Sequence, residues 1–440
     1  MHGCKHERNI FMTRTMIGMW LVVGMCATTP TVRGDDAAPT GTPKAEEKQW
    51  TVQGAFKDSG LGSWLDKNRI SISGHAEIGT TGNFDDPNSR INFGRLFDDR
   101  SNDFDLNQML VTIERPLVPE EGKWDWGFRL QPMYGSDARY THLVGFLDKY
   151  SNDYFQFDLV EAYANVHMPY LTKGGIDLKA GIFVTLQGAE VIYAPGNPFY
   201  SHSYLFNYAI PLKHFGGMMT FHATDQIDLC LGGVTGINTF GDNNDNPALH
   251  MGMSWKSKNE KAFVFASFHY GPESDSKYAK PGFGGVDANS DCRYITDVVV
   301  TLKPTDKLTL ITDLNYGKDD AFDAEWYGVA QYATYQICDK LSIGVRGEAF
   351  RDDDGFAVIQ FNDNDDLLDA ERGTHFSPKS VSGGDTTYCE LTLGLNVTPC
   401  KNLLIRPEVR WDWSGGRNHP FNDFKDSDMF TVAMDFIIKF

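Results

Sequence analysis

The chain ends in Phe430-Thr431-Val432-Ala433-Met434-Asp435-Phe436-Ile437-Ile438-Lys439-Phe440. Drawn out as a strand, Phe430, Val432, Met434, Phe436, Ile438 and Phe440 share one face. Thr431, Ala433, Asp435 and Lys439 share the other, with Ile437 the exception. Period two marks a strand whose two faces meet different surroundings. The same zigzag recurs upstream. At 403–413, Leu403, Ile405, Pro407, Val409, Trp411 and Trp413 oppose Leu404, Arg406, Glu408, Arg410 and Asp412. At 124–134, Trp124, Trp126, Phe128, Leu130, Pro132 and Tyr134 oppose Asp125, Gly127, Arg129, Gln131 and Met133. With 176–186 and weaker versions elsewhere, the segments add to about 16, within a range of 14–18.

The connections alternate. Short junctions such as 223–226, 303–307, 337–340 and 398–402 are interleaved with long stretches rich in Asp, Asn and Gly: 82–104, 135–154, 187–213, 238–247, 271–293, 316–323, 352–385 and 414–428. Both ends of the run fall on the short-turn side. That layout predicts an all-β fold, a transmembrane antiparallel up-and-down β-barrel over 70–440, with short periplasmic turns and longer outside loops. A soluble sandwich also alternates, with its apolar face turned to a core. Aromatics near strand ends (Trp124, Trp126, Trp255, Trp326, Trp411, Trp413) suit a bilayer interface instead, and a propeller's repeat of about 40 residues is absent.

Composition agrees. The 440 residues carry a formal charge of −19, which disfavours a nucleic-acid partner, whose phosphates need a basic face. A mean hydropathy of −0.36 excludes a bundle of membrane helices. The 30 Phe, 18 Tyr and 9 Trp argue against disorder. Arg8 and Arg14 precede an apolar run from Met16 to Ala27, so residues 1–34 read as a secretory signal. Their loss removes Lys5, Arg8, Arg14 and Arg33 against Glu7, leaving −22. Residues 35–69 read as a periplasmic leader with one short helix. Five cysteines remain, with no CxxC pair, so neither a disulfide framework nor a zinc site is indicated.

The segment Gly181-Ile182-Phe183-Val184-Thr185-Leu186-Gln187-Gly188-Ala189-Glu190, then Asn197-Pro198-Phe199-Tyr200-Ser201-His202-Ser203-Tyr204, then Pro211 and Gly216, resembles the OmpL-like outer-membrane β-barrel porin family. The resemblance implies an outer-membrane porin, with no catalytic residue and no cofactor to carry over. Phe440, with aromatics two and more positions upstream, looks like the tail read by the barrel-assembly machinery.

The third long stretch, 187–213, differs from the others. It is aromatic and apolar, with Ile192, Tyr193, Phe199, Tyr200, Tyr204, Leu205, Phe206 and Tyr208. A loop left in water has no use for such residues. It is expected to fold into the barrel as a constriction carrying Glu190, Asn197, Tyr200, His202 and Tyr204, the alternative being packing over the rim or at a subunit contact. Ser201-His202-Ser203 raises a hydrolase reading, but neighbours on an extended segment point to opposite sides, and no carboxylate lies near in sequence to orient the ring. The acidic runs 242–246, 352–355 and 363–366 miss EF-hand spacing, so no metal site is expected.

Inward charges, Arg129, Arg346, Glu348, Glu390, Arg406, Glu408, Arg410, Asp412, Asp435 and Lys439, are the expected pore lining. They set a transverse field across water or form cross-strand ion pairs that stiffen the wall. The function expected is passive diffusion of small hydrophilic solutes with a weak cation preference. A hydrolase and an ion-binding surface barrel are the readings from other classes. Partners expected are these solutes, outer-membrane lipid, the assembly machinery through Phe440 and a homotrimer of the chain; no nucleic acid is expected.

Overall fold

The computed structural model describes residues 50–147, 154–242, 244–274, 289–360 and 381–440. The expected signal 1–34, the start of the leader and the acidic run 363–366 lie outside these residues.

Among the described residues eighteen strands are present, and sixteen close into one antiparallel barrel. In chain order they are β1(Ser71–Asn83), β2(Phe104–Arg115), β3(Asp125–Gly135), β4(Gln156–Met168), β5(Ile176–Val184), β6(Lys213–Thr224), β7(Ile227–Val234), β8(Ala248–Lys256), β9(Ala262–Pro272), β10(Cys292–Leu302), β11(Leu308–Asp319), β12(Ala324–Cys338), β13(Leu341–Asp352), β14(Ile359–Gln360), β15(Val381–Ser382), β16(Thr386–Cys400), β17(Leu403–Gly415) and β18(Asp428–Lys439). The short β14 and β15 form a separate two-stranded ribbon inside the stretch expected to be loop 352–385, which the alternation did not reveal. The other sixteen match the segments read from period two.

Each barrel strand pairs with its neighbour in sequence, and β1 closes on β18 with His75 opposite Lys439 and Asn83 opposite Thr431. The tightest hairpins leave two residues between strands, Asp225-Gln226 and Lys401-Asn402 among them, all at one end of the barrel. The seam finishes with Phe440, whose amide donates to the Gly74 carbonyl at 2.9 Å while its carbonyl accepts from the Gly74 amide at 2.8 Å.

Alternation sorts the side chains by face. Along β18, Thr431, Ala433, Asp435 and Ile437 are buried, whereas Phe430, Val432, Phe436 and Ile438 are exposed on the outside. Leu130, Leu314, Val329, Leu391, Leu393, Val409 and Trp411 continue that exposed apolar surface around the wall. Sixteen strands enclose a lumen too wide for side chains alone to fill. Here the chain fills much of it with loops, and the main cluster of buried apolar residues lies inside the barrel, around Phe93, Phe97, Tyr204, Phe206, Trp326 and Phe421.

The leader contributes two helices, α1(Val52–Ala55) and α2(Gly60–Lys67), where one was expected. Thr51 and Ser59 cap them by accepting from the Gly54 and Gly62 amides. Trp50 is pinned to the tight turn before β17, its amide donating to Asn402 Oδ1 at 3.0 Å and its carbonyl accepting from Nδ2 at 2.7 Å.

Candidate functional site

Between β5 and β6 the chain turns into the lumen. An inward loop must find acceptors for its amides away from bulk water. The barrel wall supplies them as carboxylates. Asp297 accepts from the Gly188 amide at 2.9 Å and Asp313 from Ala189 at 2.8 Å. Glu408 takes the amides of Tyr200 (2.9 Å) and Ser201 (3.2 Å). Glu348 takes those of Tyr204 and Leu205, both at 2.7 Å. Guanidinium groups serve the carbonyls in the same way: Arg406 donates to Ala194 and Asn197 at 2.9 Å, Arg346 to Ser201 at 2.7 Å, and Arg410 to His202 at 2.5 Å. The loop is thus held from β10, β11, β13 and β17 at once.

Glu190 is the internal hub. Its carboxylate accepts from Tyr332 Oη at 2.9 Å, Arg346 at 2.8 Å and the Ser203 amide at 3.1 Å, and pairs with His202 Nδ1 at 2.7 Å. Burial pushes this carboxyl up, but the Arg346 guanidinium and the His202 imidazole outweigh it and bring it down to about 2. Asn197 staples the loop to itself, accepting from the Val191 amide at 2.9 Å and donating to its carbonyl at 2.7 Å. Tyr200 donates to Asn107 at 3.2 Å, and Tyr204 to Asp412 at 2.9 Å.

Apolar contact completes the fit. A methyl group added at Gly79 would lie 2.3 Å from the Tyr200 ring, and one at Gly394 or Gly344 would lie 3.0 Å from Phe199. These wall glycines are sockets for the loop aromatics. Ile437, the one residue out of step in the terminal strand, faces inward and packs with Leu404 and Ala194 of the loop. It is apolar because its neighbour is loop and not water.

The carboxylate that the Ser201-His202-Ser203 motif lacked is Glu190, twelve residues upstream in the same loop. Neither serine of the motif is placed as its nucleophile. Ser201 Oγ accepts from Arg346, Ser203 Oγ accepts from the Phe206 amide, and the His202 ring stacks on Phe206 at 4.3 Å. Among the described residues neither hydroxyl bonds to His202. Two of the three acidic runs are occupied too: Asp242 accepts from the Asn244 and Asn246 amides, and Asp352 from those of Phe356, Ala357 and Val358.

The expected pore-lining charges divide into two groups. Arg346, Glu348, Glu390, Arg406, Glu408, Arg410, Asp412 and Asp435 face inward but are buried under the loop, not bathed in open water. Their pairing explains why: Arg406 with Asp435 (2.5 Å) and Glu77 (3.0 Å), Arg410 with Asp412 (2.7 Å), Arg346 with Glu190 and Glu390 (2.7 Å). Arg95, from the first long loop, inserts between Asp98 and Asp412 and had no signal in the zigzag. Arg129 and Lys439 are only partly buried. Arg129 lies between Glu114 (2.7 Å) and Glu161 (2.8 Å). Near it, toward the short-turn end, the wall carries partly exposed Tyr163, Lys179, Asp177, His222 and Asp228. These residues were overlooked, although each stands on the polar parity of its strand.

Comparisons with known proteins follow this geometry. No curated protein matches the chain. Among solved structures, OprB of Pseudomonas putida at high pH aligns with a TM-score of 0.55 at 14% identity, covering 87% of this chain and 96% of its own. The anion-selective porin from Comamonas acidovorans gives 0.53 at 8%, covering 84% and 99%. The outer-membrane channel DcaP of Acinetobacter baumannii gives 0.52 at 11%, covering 84% and 97%. At identities this low the superpositions show a shared barrel fold alone. A family model described as "Putative beta-barrel porin-2, OmpL-like" matches residues 69–440. The chain therefore belongs to the OmpL-like β-barrel porin-2 family and is a porin of the bacterial outer membrane.

Proposed function

We propose that this porin passes small hydrophilic solutes and ions down their own gradients, through an opening whose size is set by residues 187–213. The observation that carries this reading is the placement of that loop inside the lumen, anchored to β2, β10, β11, β12, β13, β16 and β17 of the wall. Its driving force is the solute's gradient, so no cofactor takes part. The water-facing part of the wall mixes signs, with Arg129 and Lys179 among Glu114, Asp177 and Asp228. The charge of −22 left once residues 1–34 are removed favours cations weakly, with the acidic outer loops shaping the potential at the entrance. The exposed apolar wall is the lipid-facing surface, Phe440 the mark for the assembly machinery, and a homotrimer the assembly proposed.

The test is the purified barrel in a planar bilayer. Conductance with a reversal potential of the sign for a modest cation preference is expected across a KCl gradient. Deleting 190–208 should raise single-channel conductance. An unchanged value removes the constriction from the reading, and an anion-selective potential removes the cation preference. Ester hydrolysis lost on His202→Ala would favour an enzyme instead.

A further inference from the structure

On the inner wall near the long-loop end, three imidazoles converge from three strands. His214 of β6, His250 of β8 and His269 of β9 are each completely buried. One nitrogen of each lies within 4.8 Å of the other two. Ring centroids stand 4.3 Å apart for His214–His250, 5.3 Å for His214–His269 and 5.5 Å for His250–His269. Their positions, 36 and 19 residues apart along the chain, match no linear metal motif.

Each ring's hydrogen bonds fix where its lone pair lies. His214 Nδ1–H donates to the Gly236 carbonyl at 2.9 Å, and its Nε2 is buried without a partner. A buried unpaired acceptor of this kind is costly and asks for an occupant. His269 Nε2–H donates to Glu273 at 2.6 Å, which turns Nδ1 toward His250 Nδ1 at 3.4 Å. His250 Nε2 accepts from the Leu186 amide at 3.1 Å, so its proton sits on Nδ1. Two of the three rings thus already hold the outer partner, a carbonyl or a carboxylate, that orients a metal-bound imidazole. An apolar shell of Phe183, Met218, Cys230, Val234 and Ala248 lies alongside.

We propose that His214, His250 and His269 bind one borderline divalent transition metal, Zn²⁺ or Cu²⁺, in the wall at the root of the inward loop. Imidazole is the ligand such ions take, and three leave an open position. Bonds of about 2.0–2.1 Å need the nitrogens to draw in by roughly 1 Å. Ligation through His250 Nδ1 moves that ring's proton to Nε2, so the Leu186 amide loses its acceptor. The metal and the first turn of the loop compete for one imidazole.

The untagged full-length protein, folded in detergent and stripped with chelator, is loaded with CuSO₄ or ZnCl₂, desalted and assayed for bound metal. One metal per chain is expected, with Cu²⁺ spectra showing splitting from imidazole nitrogens. The double substitution His214→Phe with His269→Phe keeps the rings' volume and should lower retention to below a tenth. Glu273→Gln should weaken binding about 10- to 100-fold. Folding of each variant is checked by the heat-dependent mobility shift of a closed barrel. Equal retention in the folded double variant overturns the proposal. Where the variants do not fold, the wild type decides: absence of nitrogen splitting overturns it equally.

Discussion

Replacing Arg346 with Met keeps much of the side chain's length and removes its charge. In the folded protein this guanidinium donates to Glu390, Glu190, the Ser201 carbonyl, Ser201 Oγ and Thr392. Its loss leaves two buried carboxylates facing each other with one cation fewer. Removing one partner of a buried ion pair costs about 3–5 kcal/mol, mostly as the penalty on the charge left behind. The barrel strands are tied by their own ladders, so the cost falls on the loop. At about 1.4 kcal/mol per tenfold, the population with the loop detached should rise by roughly two to three and a half orders of magnitude. Chymotrypsin cleavage at Phe199, Tyr204 or Phe206 reports that population when closing is fast relative to cutting. The double variant Glu190→Gln with Arg346→Met removes the stranded charge, and Glu390 keeps Arg410 at 3.7 Å. It should recover at least half of the lost protection, a coupling that a double-mutant cycle isolates. Cleavage of Arg346→Met within threefold of wild type would refute the idea that ion pairs hold the loop.

Three further outcomes follow from the same contacts. Glu190 anchors the loop in its ionised form, with its carboxyl held near 2 against an ordinary 4.5, so its contribution is complete above pH 4.5 and drains as pH falls toward 2. Protease protection should therefore hold from pH 8 to 5 and fall below 4.5, and Glu190→Gln should flatten that acid limb. Gly79→Val should unseat Tyr200 at a cost of about 1–3 kcal/mol and broaden the distribution of single-channel conductances, whereas Gly233→Ala, where nothing lies within 4 Å, should leave it unchanged. Phe440→Ala should lower the yield of heat-shifted barrel in cells without altering the conductance of what does assemble.

Period two made the barrel legible because a strand between lipid and a filled lumen cannot tolerate a slip in register. Where register does slip, the reading failed. A bulge between β1 and β2 turns Asn107 and Gln108 both inward, and both are buried against the loop. Strict alternation gives one of them to lipid. The composition of 187–213 announced an inward loop, but which wall residues held it was invisible. Glu348, Glu408, Asp297 and Asp313 look like any polar lumen positions until the loop's amides arrive from 109 to 208 residues away. The histidine cluster had no signal at all, since β6, β8 and β9 meet only after folding.

The inner charges therefore divide by what they see, and this bears on selectivity. Arg406 and Arg410 form a basic ladder along β17, and Arg346 of β13 is a further inward cation, yet each is neutralised within hydrogen-bond distance and sealed from water. A passing ion feels a buried, paired charge only as a dipole, which falls off faster with distance than a free charge. Arg129, Lys179, Glu114 and Asp177 are among the groups that solvent reaches. Arg129→Gln frees Glu114 and Glu161 to face the lumen and should shift the reversal potential toward cations. A same-sized removal at Arg406, deep under the loop, should instead destabilise the loop with little shift in its sign. If the two substitutions moved the reversal potential equally, the buried ladder would be part of the conduction path, and the loop would have to sit away from that wall.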